Sequence, residues 1–355
     1  MTSTLFPTQE IGSLPKATPQ TIADWAGRVR FTNDDPGAPL PERRSRFNLA
    51  FLSAVGLDRI YDGEAHRIEM SEHPFRSIRG AEFVGHVRSF DNKYFRKAAV
   101  RGPLGLTEPY HSAELRSVLA TLGPAGAPRI KVPVTGPYTL AEWTYNDYFL
   151  GRQSDRYSRA ARLRAQRELV LALAKEVLRP TIADLVRLGA RLIQIDEPAL
   201  GTHPDETAVA VEGFETAVAG LDAEFTMHLC FSDYPKLVPE ILEARSCREW
   251  ALEFANRDTP GHDAYALLSL LREHGDERRI GLGVLDVHRD EVEPARLVAD
   301  RIVRASRHLG DPSRIRVNPD CGLRTRSWDV IWSKLEHLVE GTRQARATIE
   351  GSRAA

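Results

Sequence analysis

The chain has 355 residues, a formal net charge of −1, and 42% hydrophobic and 27% charged residues. That balance excludes a disordered or fibrous chain and supplies no strong positive field for nucleic acid. No run approaches the roughly 20 apolar residues of a membrane span, and Met1–Lys16 lacks the pattern of a secretory signal. The expectation is a cytoplasmic protein with neither nucleic-acid nor membrane partners. Three cysteines, Cys230, Cys247 and Cys321, are too few for a disulfide scaffold.

In chain order, a first strand is expected to run into Ile11-Gly12-Ser13 and a second to surround Ile60-Tyr-Asp-Gly-Glu64. Between them, residues near 17–55 read as a helical insertion, interrupted by the Pro-rich loop at Asp34–Pro41. A third strand is expected at Arg129–Thr135. A second helical insertion is expected near 145–190. From Asp155 to Ala190, Leu163, Leu169, Leu173, Val177, Leu185 and Leu188 recur near the helical period, and Pro180 should kink or split the run. Five more apolar runs read as strands: Leu192–Asp196, Glu224–Cys230, Trp250–Phe254, Ile280–Val284 and Ile315–Asn318. Residues 351–355 read as a frayed tail. Eight strands separated by helices predict an α/β fold, a (β/α)8 TIM barrel forming a single domain over 1–355.

Polar residues gather at the C-terminal ends of these strands: Ser13, Glu64, Asp196, His228, Cys230, Glu253 and Cys321. In a barrel that is the face where loops build an active site. His228-Leu-Cys230 puts an imidazole and a thiol on the same side of one strand. With Glu253 and Cys321 it makes a donor set suited to Zn²⁺. The alternative is that each residue is separately buried. Glu64 and Asp196 could bind an ammonium group or pair at the rim, and Gly12-Ser13 offers a small carboxylate nest. His288 could serve as acid or base. Trp143, Tyr145 and Tyr148 could stack on a flat heterocycle or pack a loop. There is no P-loop, no G-x-S-x-G and no H-E-x-x-H.

At these residues the chain resembles the cobalamin-independent methionine synthase family, in its catalytic C-terminal barrel. The matching segments are Ile11-Gly-Ser13, Asp62-Gly-Glu64, Thr135–Trp143, Ile193-Gln-Ile-Asp-Glu-Pro-Ala-Leu200, His228-Leu-Cys230, Gly283–His288 and Val317-Asn-Pro-Asp-Cys-Gly-Leu323. They follow the family's order along nearly the whole chain. The resemblance implies a zinc-dependent methyltransferase that converts homocysteine to methionine. It places zinc on His228, Cys230, Glu253 and Cys321, and the homocysteine carboxylate at Ile11, Gly12 and Ser13. It places the amino group on Glu64 and Asp196, the folate pterin against Trp143, and the proton donor at His288. Glu253 is the ligand expected to yield to the substrate sulfur.

The implied methyl donor is 5-methyltetrahydrofolate. One departure bears on it: the family's folate-contacting Gly-Ser-Arg-Cys-x-Lys-Pro-Pro stretch is replaced by Asp91–Lys97. Methylcobalamin or a corrinoid protein is therefore carried as an alternative donor, and alkyl transfer to another small thiol as an alternative acceptor reaction.

Overall fold

The computed structural model describes residues 4–88 and 94–354. Asp91–Lys93 of the departing stretch lie outside them, as does Ala355 of the expected tail. The rest of that tail is helical, because the helix Trp328–Ala354 continues through it.

Among the described residues there are eight strands. β1 (Ile78–Arg88) and β2 (Tyr94–Leu106) form an antiparallel pair of their own. The other six are β3 (Lys131–Thr135), β4 (Leu192–Asp196), β5 (Glu224–Leu229), β6 (Cys247–Leu252), β7 (Arg279–Gly283) and β8 (Ile315–Asn318). Within each unit they pair with their neighbours in chain order. Every residue of β3 is buried, as expected for a strand covered on both faces.

The chain divides into two compact units. The first comprises Met1–His66, Ser117–Pro133 and Arg248–Ala355. In it β6 pairs with β7, and β7 with β8, all in parallel. The two strands expected at the N-terminus shrink to isolated parallel bridges: Thr8 with Val317, Gln9 with Arg59, and Ile60 with Ile130. Their positions beside β8 and β3 match the expectation; their lengths do not. Gly12, Gly63 and the left-handed Glu64 (φ 58°) take the chain out of extended geometry just where the candidate site residues begin. Helices Pro19–Trp25, Leu40–Val55 and Trp328–Ala354 pack through Trp25, Phe47, Phe51, Trp328 and Trp332. Ring centroids within this cluster approach to 5.0 Å between Phe51 and Trp328. Edge-on aromatic pairs of this kind add to the burial of their apolar area.

The second unit comprises Arg67–Arg116 and Val134–Cys247. β4 and β5 pair in parallel, with Asp196 opposite His228. The long helical stretch expected at 155–190 is split, as Pro180 predicts. Helix Arg159–Leu173 passes through a π turn, Ala174–Leu178, into helix Arg179–Arg187. Proline lacks the N–H that a regular helix would use there, and the wider turn accommodates its ring. The β1–β2 hairpin was not expected. β2 contains Gly102, Pro103 and Gly105, residues that read as loop.

Candidate active site

In the first unit, Ile11 and Gly12 are buried and Ser13 is partly so. The backbone N–H of Leu14 donates to the Gly63 carbonyl at 3.1 Å, which ties this segment to the one carrying Glu64. Gly12 packs closely on Glu64, since a Cβ there would lie 3.2 Å from Glu64 Oε1. Glycine is required at position 322 because a Cβ there would lie 2.6 Å from Ser13 Oγ. The stretch after β8, which carries Cys321, therefore lies directly against Ser13. The expected carboxylate nest and the expected amino-group acid are neighbours.

Glu253 follows β6, which ends at Leu252 rather than running to Phe254 as expected. Glu253 is fully buried. Asn256 Nδ2 donates to its Oε2 at 3.2 Å, and His288 Nε2 lies 3.8 Å from its Oε1. The Glu253 carboxylate raises the His288 pKa above its usual value, against the opposing pull of partial burial. The His288 backbone N–H donates to Asp286 Oδ1 at 2.8 Å. Cys321 is half-buried. Beside it the fully buried Asp320 accepts three backbone N–H bonds, from Phe254, Ala255 and Asn256. Burial pushes its carboxyl up to about 8; nearby Glu253 adds to the rise, and the three donors oppose it.

In the second unit, Asp196 ends β4 and is buried. Gln194 Nε2 donates to its Oδ1 at 2.7 Å. His228 and Cys230 are buried at the end of β5. A left-handed residue, Phe231 (φ 55°), turns the chain immediately after Cys230. Cys247 is buried in β6. Trp143 caps the C-terminus of the helix Pro137–Glu142. The first turn of that helix is held by the fully buried Glu197, whose two oxygens accept from the N–H groups of Tyr138 (3.0 Å) and Thr139 (2.7 Å). Burial pushes the Glu197 carboxyl up to about 7. The Phe95 ring of β2 lies 6.5 Å from Trp143, and β2 also pairs with Tyr145. The aromatic segment singled out from the sequence is thus braced by the unexpected hairpin.

Sequence reasoning missed three features. Two are the buried acids Asp320 and Glu197, which grip backbone N–H groups; each adjoins a residue that the motifs do mark. The third is a group in the second unit, His73, His111 and Glu114, with one ligand-type atom of each within 4.8 Å of the others. Arg67 pairs with Glu114 there, and His111 Nδ1 lies 3.0 Å from Glu114 Oε1. None of these residues falls in a recognisable spacing.

Residues 6–344 match the family described as cobalamin-independent synthase, catalytic domain. The chain is 38% identical over 345 residues to a methionine synthase of Thermoplasma acidophilum, covering 94% of this chain and 96% of that one. It is 33% identical to a methionine synthase of Saccharolobus solfataricus, covering 98% and 96%. Among solved structures it is similar to a B12-independent methionine synthase from Shewanella sp. W3-18-1 in complex with selenomethionine. The TM-score is 0.76 and the identity 21%, over 98% of this chain and 99% of that one. A methyltransferase from Methanosarcina mazei is also similar, with a TM-score of 0.60 at 13% identity over 97% and 95% of the two chains. These likenesses show the shared fold, an α/β fold of the TIM-barrel type. Because the family works without cobalamin, support for methylcobalamin as donor falls away. The chain belongs to the cobalamin-independent methionine synthase family, and it is an enzyme that methylates homocysteine.

Proposed function

We propose that the residues gathered at the strand ends form one catalytic barrel over 1–355, in which His228, Cys230, Glu253 and Cys321 hold zinc. The donor set carries this reading: one imidazole, two thiols and one carboxylate, with His228, Cys230 and Glu253 buried and Cys321 half-buried. This is a mixed N/S/O set of the type zinc favours. Bound zinc supplies a way to deprotonate a thiol at neutral pH, where a free thiol of pKa about 8.5 is mostly protonated.

The chain's own residues do the rest. Ile11, Gly12 and Ser13 receive the homocysteine carboxylate through backbone N–H groups and a small side chain. Glu64 and Asp196 hold the ammonium group. These contacts fix the substrate sulfur relative to the metal ligands, which is where orientation lowers the barrier. Glu253, the one carboxylate of the set, would be the ligand that yields its place to the substrate sulfur. Trp143 receives the pterin of 5-methyltetrahydrofolate on its ring face. A methyl group on a tertiary amine leaves only when the amine is protonated, and His288 delivers that proton, held by Glu253 in a raised-pKa state. The enzyme's partners are small molecules, a thiol and a methyl donor, in the cytoplasm.

The experiment is methionine formation from homocysteine by purified protein with zinc and 5-methyltetrahydrofolate, with methylcobalamin offered in parallel. Turnover with the folate, abolished by a chelator and restored by zinc, supports the reading. Methionine from methylcobalamin alone would overturn the donor assignment. No methionine from either donor would overturn the reaction.

A further inference from the structure

We propose that Asp320, acting through Asn256, is a positioning residue that sets the Glu253 carboxylate and the Cys321 thiol in one register. The proposal rests on the zinc reading above and adds residues which that reading does not use.

The geometry is a short relay within the first unit. Asp320 sits in the stretch after β8, one residue before Cys321. Its Oδ1 accepts from the N–H groups of Phe254 (2.9 Å) and Ala255 (3.0 Å), and its Oδ2 from that of Asn256 (2.7 Å). Those three residues are the turn that follows Glu253. One carboxylate therefore clamps the turn after β6 to the turn after β8. The clamp continues into a side chain, because Asn256 Nδ2 donates to Glu253 Oε2 at 3.2 Å. Asp320 is itself anchored, since its N–H donates to the Leu285 carbonyl at 3.0 Å. Space has been cleared for it: a Cβ at Gly283 would lie 2.2 Å from Asp320 Oδ1.

All three N–H bonds fall on the two carboxyl oxygens of Asp320. An Asn at position 320 presents an NH₂ group to at least one N–H, and that repulsion opens the turn. Partners that orient ligands in this way typically change metal affinity by about 10–100-fold. A purely structural clamp would instead lower the melting temperature and leave affinity for metal unchanged in the folded protein.

The test compares full-length parent, Asp320→Asn and Asn256→Ala. Zinc affinity is measured by competition with a chromophoric chelator, the Co²⁺-substituted absorption spectrum is recorded, and folding is followed by circular dichroism. We expect both folded variants to bind zinc about 10–100-fold more weakly, with altered Co²⁺ bands. Asn256→Ala leaves the backbone N–H bonds in place and so tests the relay even if Asp320→Asn does not fold. Zinc affinity within about twofold of the parent in folded Asp320→Asn overturns the proposal. If only Asn256→Ala folds, unchanged affinity in that variant overturns it. A parent that binds no zinc overturns the zinc reading instead, and the proposal with it.

Discussion

His288 Nε2 and Glu253 Oε1 lie 3.8 Å apart, so the expected proton donor and the expected displaceable ligand face each other. A shift of the Glu253 carboxylate would change what His288 is paired with. His288→Gln should lower kcat by about 10²–10⁴-fold, the usual contribution of a placed acid, while zinc content stays at the parent level. Steady-state kinetics together with metal analysis check this. A variant that loses zinc in proportion to activity would move His288 from proton donor to metal support.

Glu64 is held beside Gly12 in a left-handed conformation. Glu64→Gln keeps the shape and removes the charge. Hydrogen bonds to charged groups contribute about 1.5–3 kcal/mol, so KM for homocysteine should rise about 10–100-fold, with a smaller change in kcat. Gly12→Ala should act in the same direction, because its methyl group crowds Glu64 Oε1.

A Cβ at Gly136 would lie 2.2 Å from Glu197 Cδ. Gly136→Ala therefore pushes the Glu197 carboxylate off the first turn of the helix that carries Trp143. Overpacking of this kind costs about 1–3 kcal/mol. The expected outcome is a lower melting temperature together with a raised KM for the methyl donor and an unchanged KM for homocysteine. A shift in stability alone would separate Glu197 from the donor side of the site.

Burial, with His111 and Arg67 beside it, brings the His73 pKa down to about 4 from an ordinary 6.5. The folded ring is neutral, and unfolding lets it take up a proton between those values. Its contribution to stability is therefore full above about pH 6.5 and is lost as pH falls toward 4. Burial shifts His111 in the same direction. Urea midpoints measured from pH 7 to pH 4 should fall for the parent and fall less for His73→Phe. Equal slopes would refute the assignment.

Much of this was legible in the sequence, for physical reasons. β4 and β8 span the short apolar-rich segments Leu192–Asp196 and Ile315–Asn318 that the sequence marks as strands, each ending in a polar residue. Candidate residues are brought together within the first unit: Ser13 with the Gly322 turn, Gly12 with Glu64, Glu253 with His288. What could not be read has a common cause. Asp320 and Glu197 act on backbone N–H groups, which every residue but proline carries, so no side-chain pattern announces their partners. The hairpin was hidden because its second strand tolerates glycine and proline where ladder bonds are few. The His73, His111 and Glu114 group depends on positions that only the folded chain brings together.

The bridge between Thr8 and Val317 also carries a consequence for biosynthesis. Gln9 Nε2, next to that bridge, donates to Asn318 Oδ1 across 309 residues of chain. At about 5–20 residues per second, the first segment waits roughly 15–60 s on the ribosome before its partner is made. The edge of β8 that Thr8 covers cannot be capped until the last part of the protein emerges. Such long-range closure slows folding. During that interval the growing chain is most exposed to misassembly, and chaperones have the most to protect.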